Sequence, residues 1–324
     1  MAENSDVSVG SGEEQVAKKD SPEALATLKG ALPSPTYQLT VLKTKKFLLG
    51  YWSPLLYSVV LLVVYLRYGV IFNATLAASA LVALPIASYI FRSKEFLRNS
   101  VFCISMLLTY EALQGTIGMM VNGSNALSLA PVDLALFGYS FTAAVQNFFA
   151  SPTVTMIATV FYSFHVYLVV AAMIFFWFAC RRVYRGYTYS LILTSYLALI
   201  TFAVVPTAPP WFSGVAANLL NDGVKMLPNS FSTLEQIFLG AADKLAAFPS
   251  LHAAYATLFA AYSIKLDPKI GFISIPLLLG ILFSTLYLGQ HYLIDLIAGI
   301  AYAMLAFFVV EWLLKRSKSE KTVI

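Results

Sequence analysis

Residues 291–315 read HYLIDLIAGIAYAMLAFFVVEWLLK, a largely apolar stretch long enough to cross a hydrocarbon layer about 30 Å thick. Runs of the same kind lie upstream at about 47–67, 70–91, 98–121, 153–180, 187–206, 250–266 and 270–289. With 59% apolar and 11% charged residues, the chain reads as all-α, a polytopic membrane helical bundle of about eight transmembrane helices. The formal charge of +5 does not point to nucleic acid, because the basic residues sit in short clusters between the apolar runs.

Those clusters set an orientation. With the N-terminus cytoplasmic, the inner side collects Lys18, Lys19, Lys29, Lys43, Lys45 and Lys46, then Arg92, Lys94 and Arg98, then Arg181, Arg182 and Arg185, then Lys265 and Lys269, and finally Lys315, Arg316, Lys318 and Lys321. Only Arg67, Lys225 and Lys244 fall outside, which is the bias of the positive-inside rule. The expectation is an integral, multi-pass protein with both termini cytoplasmic. Residues 1–46 are expected to be a disordered cytoplasmic tail, since the Ser-, Glu-, Lys-, Gly- and Pro-rich start has few large apolar side chains to offset chain entropy. Residues 47–316 form the expected transmembrane catalytic domain and 317–324 a basic cytoplasmic tail. No cleavable leader pattern opens the chain, so the first span is expected to direct insertion.

The two long connections, 122–151 and 207–249, fall on the outer side. Leu134, Phe137, Phe141, Val145 and Phe148 recur at helical spacing and predict an amphipathic helix lying on the interface. Ser232-Thr233-Leu234-Glu235 has capping-box spacing and predicts a second short helix.

The chain has three histidines, and two of them stand in Pro249-Ser250-Leu251-His252 and His291-Tyr292-Leu293-Ile294-Asp295. In the orientation above, both strings meet at the outer face. Residues four apart share a helix face, so Asp295 can accept the Nδ1 proton of His291 and leave Nε2 with a free lone pair. An imidazole held that way is a nucleophile. Ser250 to His252 open a helix, where free N–H groups and the positive dipole end favour a phosphate, and His252 can protonate a departing oxygen. The chemistry implied is in-line attack of His291 on phosphorus, a phosphohistidine intermediate, and a second transfer to water or to an alcohol. Ionisable groups placed in lipid are costly and usually functional, which argues against a bland structural role for the pair. Cys103 and Cys180 fall in or at the ends of apolar helices, against a disulfide framework or a metal site, and there is no Walker loop or dinucleotide fingerprint. No metal and no cofactor are expected.

The two strings resemble the second and third signatures of the type 2 phosphatidic acid phosphatase superfamily, Pro-Ser-Gly-His and Ser-Arg-x5-His-x3-Asp. Here they read Pro249-Ser250-Leu251-His252 and Ser284-Thr285-x5-His291-x3-Asp295. Leu251 for Gly, Thr285 for Arg, Tyr292 after the histidine, and Pro206-Thr207-Ala208-Pro209-Pro210-Trp211 ahead of the site are similar to the inositol phosphorylceramide synthase branch. Tyr110-Glu111 with Gly115, and His165 after Tyr162, are weaker echoes of that branch. The resemblance covers roughly residues 100–310. It implies a six-helix phosphatase-like core with short interfacial helices on the outer face, His291 as nucleophile, Asp295 as its orienter and His252 as acid. It also implies a membrane lipid phosphate or phospholipid as substrate and a lipid alcohol as acceptor.

Two departures matter. The first signature, Lys-x6-Arg-Pro, has no match, and the third has Thr285 where the family has Arg, so another cation must balance the phosphoryl charge. Lys244 is the leading candidate and Lys225 the next, with Ser250 and Ser284 as further substrate-binding positions. Glu111 and His165 lie inside spans; they either line a headgroup pocket or tie helices together, and the second reading is preferred. Trp211 is read as an interfacial anchor. Three functions remain open on sequence alone: a lipid phosphotransferase, favoured by the branch resemblance; a lipid or polyprenyl phosphate phosphatase; and a proton-relay transporter, disfavoured because its ionisable residues belong near mid-membrane. The oligomeric state is left open.

Overall fold

The computed structural model describes residues 35–68, 94–120, 126–228 and 245–322. The chain divides into two compact units, Met1–Trp52 and Ser53–Ile324, and the second carries the site. The expected spans at 70–91, the tail up to residue 34, Lys244 and the helix expected after Ser232 lie outside the described residues.

The long helices are α1 (Pro35–Tyr68), α2 (Lys94–Met120), α5 (Pro152–Ala179), α6 (Arg181–Val204), α8 (Leu251–Leu266), α9 (Pro268–Tyr287) and α10 (Leu293–Thr322). Between them lie α3 (Ala130–Phe137), α4 (Phe141–Phe149), α7 (Leu219–Met226) and two two-residue strands, β1 (Leu127–Ser128) and β2 (Thr207–Ala208). Among the described residues, four helices are long and apolar enough to span a membrane, and a fifth qualifies if α5, bent by 52° after His165, is one span. The chain is a helical membrane bundle. α8 packs against α5, α6, α9 and α10 and so occupies its centre.

The boundaries follow local chemistry. Prolines open α5 and α9, where the missing N–H costs nothing, and Asp267 caps α9 through the Lys269 N–H at 2.8 Å. α1 begins at Pro35 rather than near 47. α5 and α6 are separated by Cys180 alone, so the Arg181 to Arg185 segment expected as a loop is the first turn of a helix.

Within lipid the helices gain little from burying apolar side chains against one another, so close approach and interhelical hydrogen bonds must hold them. Ser190 and Tyr262 share a bond of 2.9 Å, Ser195 and Tyr255 one of 2.6 Å, and Thr201 and Tyr302 one of 2.8 Å. Trp177, Tyr187 and Tyr262 are fully buried in the same core.

The connection at 126–149 corrects the expected single interfacial helix. Gly138, at φ +80°, ends α3 in a left-handed cap, and the Ser140 hydroxyl accepts the Ala143 N–H to start α4. Their orientation is also unlike a plain lipid-lying helix: Asp133, Thr142 and Gln146 are buried, whereas Leu134, Leu136 and Phe148 are exposed. The polar face looks into the bundle.

The turn between α9 and α10 is set by Gly289. Its φ is +79°, and a Cβ there would meet the Ala217 carbonyl oxygen at 2.3 Å. Gln146 braces the same place, donating to the carbonyls of Ala217 and Tyr287 at 2.8 and 2.9 Å and accepting the Ala217 N–H at 2.9 Å. Gly289→Ala is expected to cost about 1–3 kcal/mol from the left-handed backbone alone. Thermal unfolding of the detergent-solubilised variant measures this, and a melting temperature equal to the wild type's would contradict it.

Candidate active site

α10 begins two residues after His291, and its cap builds the site. Tyr292 precedes the helix, and the Asp295 carboxylate reaches back so that Oδ2 accepts the Tyr292 N–H at 2.8 Å, one half of a capping box. The same Oδ2 lies 3.4 Å from His291 Nδ1. A nearer acceptor is the Ala247 carbonyl, 3.0 Å from Nδ1. With two acceptors facing it, Nδ1 carries the proton and Nε2 has the lone pair. Nε2 faces His252 Nδ1 at 3.4 Å.

Ala247 is placed by a small backbone zipper. Leu127 N–H donates to the Pro206 carbonyl, Thr207 N–H to Leu245, and Ala247 N–H to Thr207, at 2.9, 2.9 and 3.1 Å. β1 and β2 pair in parallel, with Leu127 opposite Thr207 and Ser128 opposite Ala208. Three otherwise unsatisfied extended segments thereby meet their hydrogen-bonding needs at one end of the bundle.

The second string is bolted to the first. Ser250 N–H donates to the Asp295 carbonyl at 3.0 Å, and a Cβ on Gly299 would meet the Ser250 carbonyl oxygen at 2.2 Å, so α8 and α10 touch backbone to backbone there. Ser250 is fully buried and its hydroxyl caps α8 by accepting the Ala253 N–H at 3.3 Å.

Two rings pack against His252. The Tyr162 ring stacks at 4.3 Å between centroids and the His165 ring lies at 4.0 Å, with Tyr255 parallel to His165 at 5.2 Å. All three histidines of the chain therefore form one cluster. His165 Nδ1 and Asp295 Oδ1 are buried without a hydrogen-bond partner among the described residues. Glu111 lies within electrostatic reach of Tyr255.

Among the described contacts, Ser284 and Lys225 make none to the three histidines or Asp295. The Ser284 hydroxyl is buried and donates to the Ile281 carbonyl at 2.8 Å. Lys225, on α7, is exposed and pairs with Asp222 at 3.3 Å.

Sequence reasoning missed Asp133. It is wholly buried, and its Oδ1 accepts the Ile294 N–H at 3.3 Å at the start of α10. Burial lifts its carboxyl above the usual carboxylate range, opposed by backbone N–H bonds from Ile294, Leu293 and Phe141. Thr142 donates to the His291 carbonyl at 2.9 Å, and Ser128 and Tyr292 share a hydroxyl bond of 3.0 Å. Trp211, read as an interfacial anchor, donates from Nε1 to Gln290 at 3.1 Å and steadies the turn before His291. Among the described residues no group of His, Cys, Asp and Glu has the arrangement of a metal site.

Comparison with known proteins bears on this cluster directly. Residues 128–309 match the PAP2 superfamily. The chain is 32% identical to the inositol phosphorylceramide synthase catalytic subunit AUR1 of Saccharomyces cerevisiae, over 30% of this chain and 26% of the yeast protein. It is 28% identical to inositol phosphorylceramide synthase of Candida albicans, over 44% of this chain and 32% of that protein. It is 26% identical to phosphoinositol dihydroceramide synthase of Bacteroides thetaiotaomicron, over 41% of this chain and 47% of that one. The chain thus spans between a quarter and a half of the length of these curated relatives. No solved structure matches. The family match covers more than half of the sequence and takes in all three histidines and Asp295, and on that ground the chain belongs to the PAP2 superfamily.

Proposed function

We propose that the protein is a membrane-embedded lipid phosphotransferase that moves a phosphoryl headgroup from one lipid to the hydroxyl of another through a phosphohistidine on His291. The observation that carries this is the fixed tautomer: Nδ1 faces two acceptors, so the basic Nε2 is directed at His252. The relatives named for transfer onto ceramide or dihydroceramide support the same class of reaction.

His291 Nε2 attacks phosphorus, the bond to the donor lipid's oxygen breaks, and His252 delivers a proton to that oxygen. The acceptor hydroxyl then gives its proton back to His252 as its oxygen attacks, and the N–P bond breaks. Asp295 holds Nδ1–H throughout and offsets the positive charge that His291 acquires. Free N–H groups at the start of α8 face the phosphoryl oxygens, and Lys244 supplies the balancing cation, with Lys225 as the second choice. His165, packed against the His252 ring, and Glu111 line the substrate path in this proposal. The burial of the pair, His291 being 6% exposed and Asp295 fully buried, supports a lipid rather than water as the acceptor.

The test is to incubate purified protein with headgroup-labelled phospholipid, with and without a lipid alcohol. Label is expected in a new lipid only when the alcohol is present; release as free headgroup phosphate regardless of alcohol would make the protein a phosphatase. His291→Ala is expected to abolish both products, and His252→Ala to slow donors with poor leaving groups by roughly 10²–10⁴. Asp295→Asn is expected to cost less than the roughly 10⁴ seen for an orienting carboxylate that acts alone, because the Ala247 carbonyl still fixes the tautomer.

The proposal places the site on the extracytoplasmic face and both termini inside. Arg182, Lys265 and Glu311 cluster at the end of α6, α8 and α10 away from the histidines, which supports the positive-inside orientation. A membrane-impermeant maleimide added to intact cells is expected to label Lys225→Cys and to spare Cys180 until the cells are permeabilised. Labelling of Cys180 from outside would invert the topology.

A further inference from the structure

A cavity of about 390 Å³ opens at the end of the bundle opposite the histidines. Thirteen residues of α8 separate His252 from Lys265, and sixteen of α10 separate Asp295 from Glu311, so the cavity lies roughly 20–24 Å from the catalytic cluster. Its walls are Arg182 and Val183 of α6, Lys265 of α8, and Phe307, Phe308, Glu311 and Lys315 of α10.

The charges are arranged for an anion. Three cations face a single carboxylate. Glu311 is buried, 6% exposed, and pairs with Lys265 and, at 4.0 Å, with Arg182. Lys265 also lies 5.7 and 5.8 Å from the ring centroids of Tyr262 and Phe307, which hold its ammonium in place. Lys315 lines the cavity without a partner among the described ion pairs. The other wall, Val183, Phe307 and Phe308, is apolar, and Phe308 is 61% exposed.

We propose that this cavity binds the phosphate of an anionic membrane phospholipid, as a site separate from the catalytic one. Cations beside an apolar wall match the junction between a lipid's phosphate and its glycerol, and basic pockets between transmembrane helices are a recurrent form of lipid recognition. The cleft is partly open, and its volume would leave an inorganic phosphate largely unpacked. Glu311 is the resident competitor: it neutralises Lys265 and Arg182, which the lipid phosphate must share or take over.

The test compares thermal unfolding of the full chain in phosphatidylcholine nanodiscs, in the same discs with added phosphatidylglycerol, and in phosphatidylcholine discs with inorganic phosphate. Phosphatidylglycerol is expected to raise the melting temperature by a few degrees, and phosphate to leave it unchanged. Arg182→Gln and Lys315→Gln are each expected to remove most of that rise. Among the described residues Lys315 makes no hydrogen bond or ion pair, so its variant is expected to stay folded and informative if Arg182→Gln does not. Glu311→Gln is expected to enlarge the rise. A rise that survives both cation variants, one matched by inorganic phosphate, or one abolished by Glu311→Gln would overturn the proposal. Catalytic turnover is not read, so the result stands apart from that of the transfer assay.

Discussion

One proton decides the chemistry available to this protein, the proton on Nδ1 of His291. A neutral imidazole has one donor and one acceptor nitrogen, and two oxygens facing Nδ1 leave the lone pair on Nε2. Much of the surrounding structure serves to keep those oxygens there. The zipper of Leu127, Thr207 and Ala247 fixes the carbonyl, and the cap of α10 fixes the carboxylate. Either acceptor alone would set the tautomer, but Asp295 alone also supplies charge.

That charge is buried without an opposite partner in contact, which in lipid would be expensive. Two features lower the cost. Asp295 lies in the first turn of α10, where the helix dipole is positive, and its Oδ2 takes a backbone N–H. Asp133 works the other way. It adds a second carboxylate within electrostatic reach of Asp295, yet it satisfies the Ile294 N–H that no helical carbonyl can reach. α3 and α4, with Asp133, Thr142 and Gln146 buried, bring that carboxylate to the start of α10.

The apolar runs announced the spans because lipid imposes a composition, and His291 with Asp295 was legible because spacing of four is meaningful on a helix. Other parts carried no such signal. Ala247 acts through a main-chain carbonyl, which any residue would supply. Asp133 and Gln146 sit in a stretch whose apolar spacing suggested an interfacial helix, and polar residues on such a helix read as solvated. The break at Gly138 reversed that reading, since it let α3 and α4 tilt separately and present Asp133, Thr142 and Gln146 to the site. His165 carried two readings in the sequence, and only its ring contact with His252 ties it to the cluster.

The His252 to His291 contact constrains the proposed reaction further. In an in-line displacement the entering nitrogen and the leaving oxygen stand on opposite sides of phosphorus. Ring nitrogens 3.4 Å apart leave no room for a phosphorus and its oxygens between them. The phosphate must therefore approach Nε2 beside the line joining the rings, and His252 must move to reach the leaving oxygen. Tyr162 and His165 both pack against that ring and oppose tilting. In the proposed reaction, the Tyr162 and His165 rings, 4.3 and 4.0 Å from that of His252 between centroids, are the surfaces against which the proton donor moves.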